Sequence, residues 1–146
     1  MWTIAATERT KAPSSLVWEI YCDFDQWRQW DYGLALYKPE GPFATGTSGI
    51  LKPVEGPELA FQLIHVEEGK CFVDRTPLGP EHAIIARHEL TPLPDATQIT
   101  HTIEIEGPES ERIAQEMGFC KEELYETVSN LARYAERDPK AEETIA

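Results

Sequence analysis

Two of the four histidines, His88 and His101, stand on either side of the turn PLPDA at 92–96, and their numbers sum to 189. If segments 82–91 and 97–106 form one hairpin, that sum also sets Leu90 opposite Ile99, Ala86 opposite Ile103 and Ile84 opposite Ile105. Strand side chains alternate with period two, so all eight residues share one face. Apart from the histidines this face is apolar, and it is expected to be the concave one. Directly paired imidazoles stand about 5 Å apart at Cβ. In an apolar groove they hold each other neutral, because two imidazoliums repel and desolvation disfavours either charge. A neutral pair near pH 7 can offer a donor and an acceptor to a ligand carbonyl or hydroxyl, or act as a general acid/base couple. Two other readings stay open: the histidines satisfy each other and nearby threonines, or a one-residue slip turns both to solvent.

Other chemistry has less support. A metal centre on His88 and His101 needs a third ligand, and His82 lies six residues away, about 20 Å along a strand. His65 faces Cys71 if EEG at 67–69 makes a type I turn with Gly69 as the bulge residue. No metal and no cofactor are therefore expected. GPFATGTS at 41–48 nearly matches a phosphate-binding loop, but Thr47 stands where a lysine must reach the phosphates, and a strand follows instead of a helix. There is no GxSxG elbow, and no cysteine lies in a nucleophile motif. Asp74, Arg75 and Arg87 are mid-strand; an inward arginine could anchor a carboxylate or an enolate, while the solvated convex face is the ordinary place for all three.

The elements that must position the histidine pair can be read in order. Residues 2–9 alternate as a half-buried strand. Pro13 and Ser14 open a helix over 14–22, with Val17, Ile20 and Tyr21 at helical spacing. Trp18 and Trp27 would fall on opposite faces of a single rod, so a break is needed. Asp23 with Gln26 resembles a capping box, and Cys22 with Trp27 a hydrophobic staple. The pattern predicts a second short helix over 24–31, ended by Gly33, with Trp27 and Trp30 on one side. Strands follow at 34–38, 45–53, 58–66, 70–77, 82–91 and 97–106, antiparallel because their links are short. After Gly107-Pro108 one long amphipathic helix carries Ile113, Met117, Cys120, Leu124, Val128, Leu131 and Ala135 on one stripe, with Gly118 as a possible bend. The tail after Pro139 is expected to fray.

The chain has 146 residues, room for one domain that buries roughly 68–70% of its unfolded surface. Lys and Arg number 13 against 26 Asp and Glu, a net charge of −13 that repels phosphate backbones and anionic headgroups. Nucleic acid and membrane insertion are thus not expected as partners, and no apolar run is long enough for a signal peptide or a span. Three scattered cysteines without a CxxC suit a reducing compartment, so a cytoplasmic placement is expected. A seven-stranded antiparallel sheet must curl around something, and the terminal stripe is the element able to fill it. The class is α+β, with the two short helices closing one end and Trp27 and Trp30 as either gate or core.

This order resembles the helix-grip superfamily of START lipid-transfer domains, birch-pollen-allergen-like proteins and polyketide cyclase/dehydrase proteins. Ala12-Pro13 with Val17-Trp18 looks like its first-helix entry, and Asp23, Trp27 and Trp30-Asp31 like its helix junction. Gly46, Gly49 and Leu51-Lys52-Pro53, then His88-Glu89-Leu90 and residues 100–108, look like its later strands. The resemblance spans roughly residues 2–137 and implies a cavity between sheet and terminal helix for a small hydrophobic, aromatic or lipid ligand. Candidate lining residues are Trp27, Trp30, Phe61, Leu63, His88, His101, Ile103, Met117 and Leu124. It also implies two alternatives: a cyclase/dehydrase enzyme with His88 and His101 as acid and base, and a partner-binding module like the chaperone-ATPase activators. Fold alone does not choose among them.

Overall fold

The computed structural model describes residues 1–137, so the expected frayed tail lies outside the described residues. Strand β1 (Trp2–Thr10) is followed by helix α1 (Ser14–Cys22) and a 3-10 helix (Phe24–Gln29). Strands β2 (Leu34–Pro39), β3 (Ser48–Pro53), β4 (Leu59–Glu67), β5 (Cys71–Leu78), β6 (His82–Leu93) and β7 (Ala96–Glu106) come next, then helices α2 (Ser110–Met117) and α3 (Lys121–Arg137). All seven strands form one sheet in the order β1-β7-β6-β5-β4-β3-β2, every pair antiparallel. The curled sheet grips the terminal helix, which is the helix-grip architecture.

Three local expectations are corrected. The segment expected as a helix over 24–31 is a 3-10 helix that stops at Gln29, ahead of Gly33, and the Asp23 side chain makes no cap hydrogen bond. At three residues per turn, Phe24, Trp27 and Trp30 fall in one column, so the tighter helix stacks all three aromatics on one side. Residues 40–47 are a loop ahead of β3, not the start of that strand. The terminal stripe is broken in two at Gly118. Its φ of +75° is a conformation glycine alone adopts cheaply, and Gly118 N–H donates to Gln115 O while Phe119 N–H donates to Ala114 O. This Schellman closure turns Phe119 onto Trp2, ring centroids 6.2 Å apart.

The inward face reads as cross-strand rows. One runs Ala6–His101–His88–Phe72–Val66, and the next Ile4–Ile103–Ala86–Asp74–Leu63. A third carries Trp2, Ile105, Ile84 and Thr76. Helix α3 packs mainly along β1 and less on β7, burying Leu124, Val128, Leu131, Ala132 and Ala135. Helix α1 lies on β6 and the 3-10 helix on β2. Between them the aromatic core is continuous: Trp27 stacks on Tyr37 at 3.9 Å and Tyr37 on Phe61 at 4.6 Å. Phe61 fits because its partner across the ladder is Gly49, where a Cβ would lie 2.5 Å from both the Phe61 ring and Lys38 O. Gly49→Ala should therefore cost about 1–3 kcal/mol by overpacking. Urea denaturation would register this as a lower midpoint, and an unchanged midpoint would refute the close approach.

Candidate functional site

The expected hairpin register is observed: His88 pairs with His101, Ala86 with Ile103, Ile84 with Ile105 and Leu90 with Ile99. Both histidines point inward and are buried, 8% and 4% exposed, with ring centroids 4.7 Å apart in a T-shaped contact. Phe72 stacks flat on His88 at 3.9 Å. The His88 Nδ1–H donates to Phe72 O at 3.2 Å, because a carbonyl can only accept. That fixes the proton on Nδ1. His101 Nε2 is hydrogen-bonded to the Tyr21 hydroxyl at 2.7 Å, a buried link from α1 to the sheet.

Burial sets the charge state of this group. It lowers His88 to about 4, partly offset by the Phe72 carbonyl, and drives His101 well below the usual imidazole range with His88 adding to the effect. The same burial raises Tyr21 well above an ordinary phenol. At neutral pH all three are uncharged, so phenol and imidazole can each donate to or accept from the other.

Asp74 departs from the convex placement expected of a charged strand residue. It faces inward, buried, in the row beside the histidines, while Arg75 and Arg87 occupy the convex face. There Arg87 pairs with Glu104 at 2.7 Å and Arg75 with Glu106 at 3.6 Å. No arginine reaches the interior from these positions. The Tyr37 hydroxyl donates to Asp74 Oδ2 at 2.9 Å. Burial raises Asp74 to about 7, only partly offset by that bond, so its carboxyl is poised near neutrality. Asp31, beside the 3-10 helix, is raised by burial to about 6 against the opposing pull of the Gly33 and Leu34 amides.

The remaining candidates divide. Trp27 and Trp30 are 2% and 1% exposed, so both are packed in the core. Trp27 Nε1–H donates to Tyr21 O at 2.9 Å, which orients the phenol's own turn of helix. The Trp30 indole N–H has no hydrogen-bond partner among the described residues, a loose polar end next to His101 and Tyr21. Phe61, Leu63 and Leu124 are buried in the same core. Met117 is 39% exposed at the end of α2, where the break at Gly118 turns the chain. Ile103 differs from these. It is half-buried, as are Ala86, Ile84 and Ile4 on the same inward face. These four form an apolar floor that stays partly exposed, with Ile4 and Ile103 also packed against the buried core. It begins one row, about 7 Å along the strands, from His88 and His101.

Sequence reasoning also missed Phe43. The loop at 40–47 holds no phosphate cradle; its Thr45 hydroxyl accepts from Val66 N–H and its Thr47 hydroxyl donates to Pro42 O. The loop thereby drops Phe43 against Trp18 and Phe72, closing the aromatic end.

A family model described as polyketide cyclase/dehydrase and lipid transport matches residues 1–136. The chain belongs to that family. No curated protein matches the sequence. Truncated norcoclaurine synthase from Thalictrum flavum is similar with a TM-score of 0.69 at 14% identity, covering 93% of this chain and 94% of that one. A point mutant of the same synthase, 15% identical, was solved with a transition-state analogue. A protein from Arthrobacter aurescens gives 0.70 at 17% identity, covering 94% and 87%. A protein from Thermus thermophilus gives 0.69 at 12% identity, covering 92% and 97%. These likenesses establish the fold. No helix among the described residues is long and apolar enough to cross a membrane.

The buried polar groups set two expectations for stability. Tyr21→Phe strands a buried imidazole nitrogen and should cost about 1–3 kcal/mol in chemical denaturation; no loss would mean that the bond is not made. The folded-state pKa of Asp74 is raised, so its contribution is complete below the unfolded value near 3.8 and is lost as pH rises through about 7. In Asp74→Asn the introduced amide oxygen can still accept from Tyr37. The variant should therefore gain on the order of 2 kcal/mol relative to the parent between about pH 5 and pH 8. A pH-independent difference would place Asp74 in a solvated site. His88 and His101 act in the opposite sense, losing stability as pH falls below about 6.5, but that effect is common to both proteins and cancels.

Proposed function

We propose that this chain binds a small hydrophobic or aromatic ligand on the inward face of the sheet, over Ile4, Ile84, Ala86 and Ile103. The observation that carries this reading is the partial exposure of those four apolar residues beside buried Asp74, Tyr21 and His101. An apolar floor edged by a few convergent polar groups is the usual build of a small-molecule site. The aromatic end supplies rigidity instead of volume, since Trp27, Trp30, Tyr37, Phe61 and Phe72 pack against each other. A ligand with one polar group would lay its rings on the floor and present that group to the Asp74 and His101 end. The acidic net charge disfavours anionic ligands.

A second reading is favoured by Asp74 alone, whose carboxyl is set near 7 by burial. Such a group can take a proton from a carbon beside one carbonyl so that this carbon bonds to a second carbonyl of the same chain, and give the proton to the resulting alkoxide. It can then take a second proton from that carbon and deliver it to the hydroxyl that leaves as water. The neutral Tyr21–His101 pair would then donate to the carbonyl oxygen where negative charge develops. The family description makes this chemistry pertinent, and binding must precede it in either case.

Thermal shift with 2-naphthol tests the binding reading. A ligand at about one hundred times its Kd stabilises by about 2.7 kcal/mol, several degrees in Tm. Ala86→Trp fills the floor without disturbing the aromatic core and should abolish the shift while the protein stays folded. A shift that survives Ala86→Trp, or none with 2-naphthol and related bicyclic phenols, would overturn the site. Asp74→Asn separates the two readings: it should leave the shift in place and remove any cyclisation of a poly-β-ketone probe.

A further inference from the structure

The convex face of the sheet carries a separate cluster. His65, Glu67 and Cys71 offer ligand atoms that all lie within 4.8 Å of one another. The expected placement of His65 directly across from Cys71 is not found: a bulge between Leu63 and His65 sets His65 opposite Val73 and Glu67 opposite Cys71. The cluster survives that shift because His65 and Glu67 are two apart on β4. Both therefore project on the same outer face, with Cys71 just across the turn. Glu89 stands opposite Cys71 on β6, which continues the row as Glu67–Cys71–Glu89. The row borders a surface pocket of about 290 Å³ lined by Ile64, His65, Cys71, Val73, Arg87 and Glu89.

The balance of charge at this pocket favours a cation. The one guanidinium that reaches it, Arg87, is held by Glu104 at 2.7 Å, and Lys70 touches Glu67 only at 4.0 Å with both side chains exposed. Such an exposed pair is worth little and yields readily to a stronger partner. We propose that His65, Glu67 and Cys71 form a binding site for one divalent transition ion, zinc by the softness of its donors, with the fourth position open to solvent beside Glu89. One imidazole nitrogen, one thiolate and one carboxylate are a donor set that zinc accepts in tetrahedral geometry, and magnesium and calcium do not share that preference for sulfur and nitrogen. Binding replaces the Cys71 S–H bond with a metal–sulfur bond and releases that proton to solvent, so uptake weakens as pH falls. The site sits on the opposite face from His88 and His101, so it does not depend on the ligand reading above. Its mechanical effect is to clamp the β4–β5 turn to itself.

The test uses the reduced, chelator-treated full chain titrated with Co²⁺ and then with Zn²⁺. The expected result is one equivalent of cobalt, a thiolate-to-cobalt charge-transfer band in the near ultraviolet, and its loss on adding one equivalent of zinc. Cys71→Ser should abolish the band, and His65→Ala should weaken uptake at least tenfold, with both variants keeping the parent's metal-free Tm because the residues are at the surface. Glu67→Gln should weaken uptake less. Absence of the band, a band that persists in Cys71→Ser and so comes from Cys22 or Cys120, or equal uptake by His65→Ala would each overturn the proposal.

Discussion

The hydrogen bond between Tyr21 and His101 is the constraint on which the interior depends. It ties α1 to the sheet by a directional contact, and it holds a phenol and an imidazole that are both buried. Once it is made, both groups must stay neutral, because a charge there would be stranded in an apolar medium. His88 is then constrained in turn. Stacked on Phe72 and edge-on to His101, it has one carbonyl to satisfy it and no counter-ion. Polar groups in this core stabilise little by themselves, but they allow one arrangement of the helices against the sheet and penalise others.

Around that link the aromatic residues divide the labour. The column Phe24–Trp27–Trp30 and the stack Trp27–Tyr37–Phe61 fill the end of the curl beneath the short helices. Helix α3 fills the β1 side. The stretch of β6 and β7 around Ile84, Ala86 and Ile103 stays partly exposed, beside a carboxyl whose pKa burial has brought to about 7. The break at Gly118 shapes the rim nearby. By turning the chain between α2 and α3 it leaves Met117 exposed and Phe119 on Trp2 at the rim.

Much of this was legible in the sequence, and the reasons for the successes and the failures are specific. The β6–β7 register followed from a short turn and a period-two pattern, which leave no freedom once one face is apolar, so the histidine pair could be placed from residue types alone. The antiparallel run of β2–β7 followed from turn spacing in the same way and the terminal helix from its apolar stripe, whereas the pairing of β1 with β7 followed from neither. Asp74 was not legible, because its inward direction depends on a tyrosine 37 positions away that supplies the hydrogen bond making burial tolerable. Tyr21 was visible only as one member of a helical stripe, since nothing local marks which of several inward residues meets His101. Trp27 and Trp30 could be grouped but not assigned to gate or core, a choice made by Tyr37, Phe72 and the 40–47 loop that lie far along the chain. The convex cluster turned on a bulge that the sequence does not announce.

The central claim is that the apolar floor on the inward face is open to ligand. Methyl-labelled isoleucine NMR during titration with a bicyclic phenol addresses it directly, because Ile84 and Ile103 lie on the floor and exposed Ile64 lies on the opposite face. The account predicts saturable shifts at Ile84 and Ile103 and intermolecular contacts from those methyls, with Ile64 unmoved. Shifts confined to Ile64, or none at any isoleucine at saturating ligand, would contradict it.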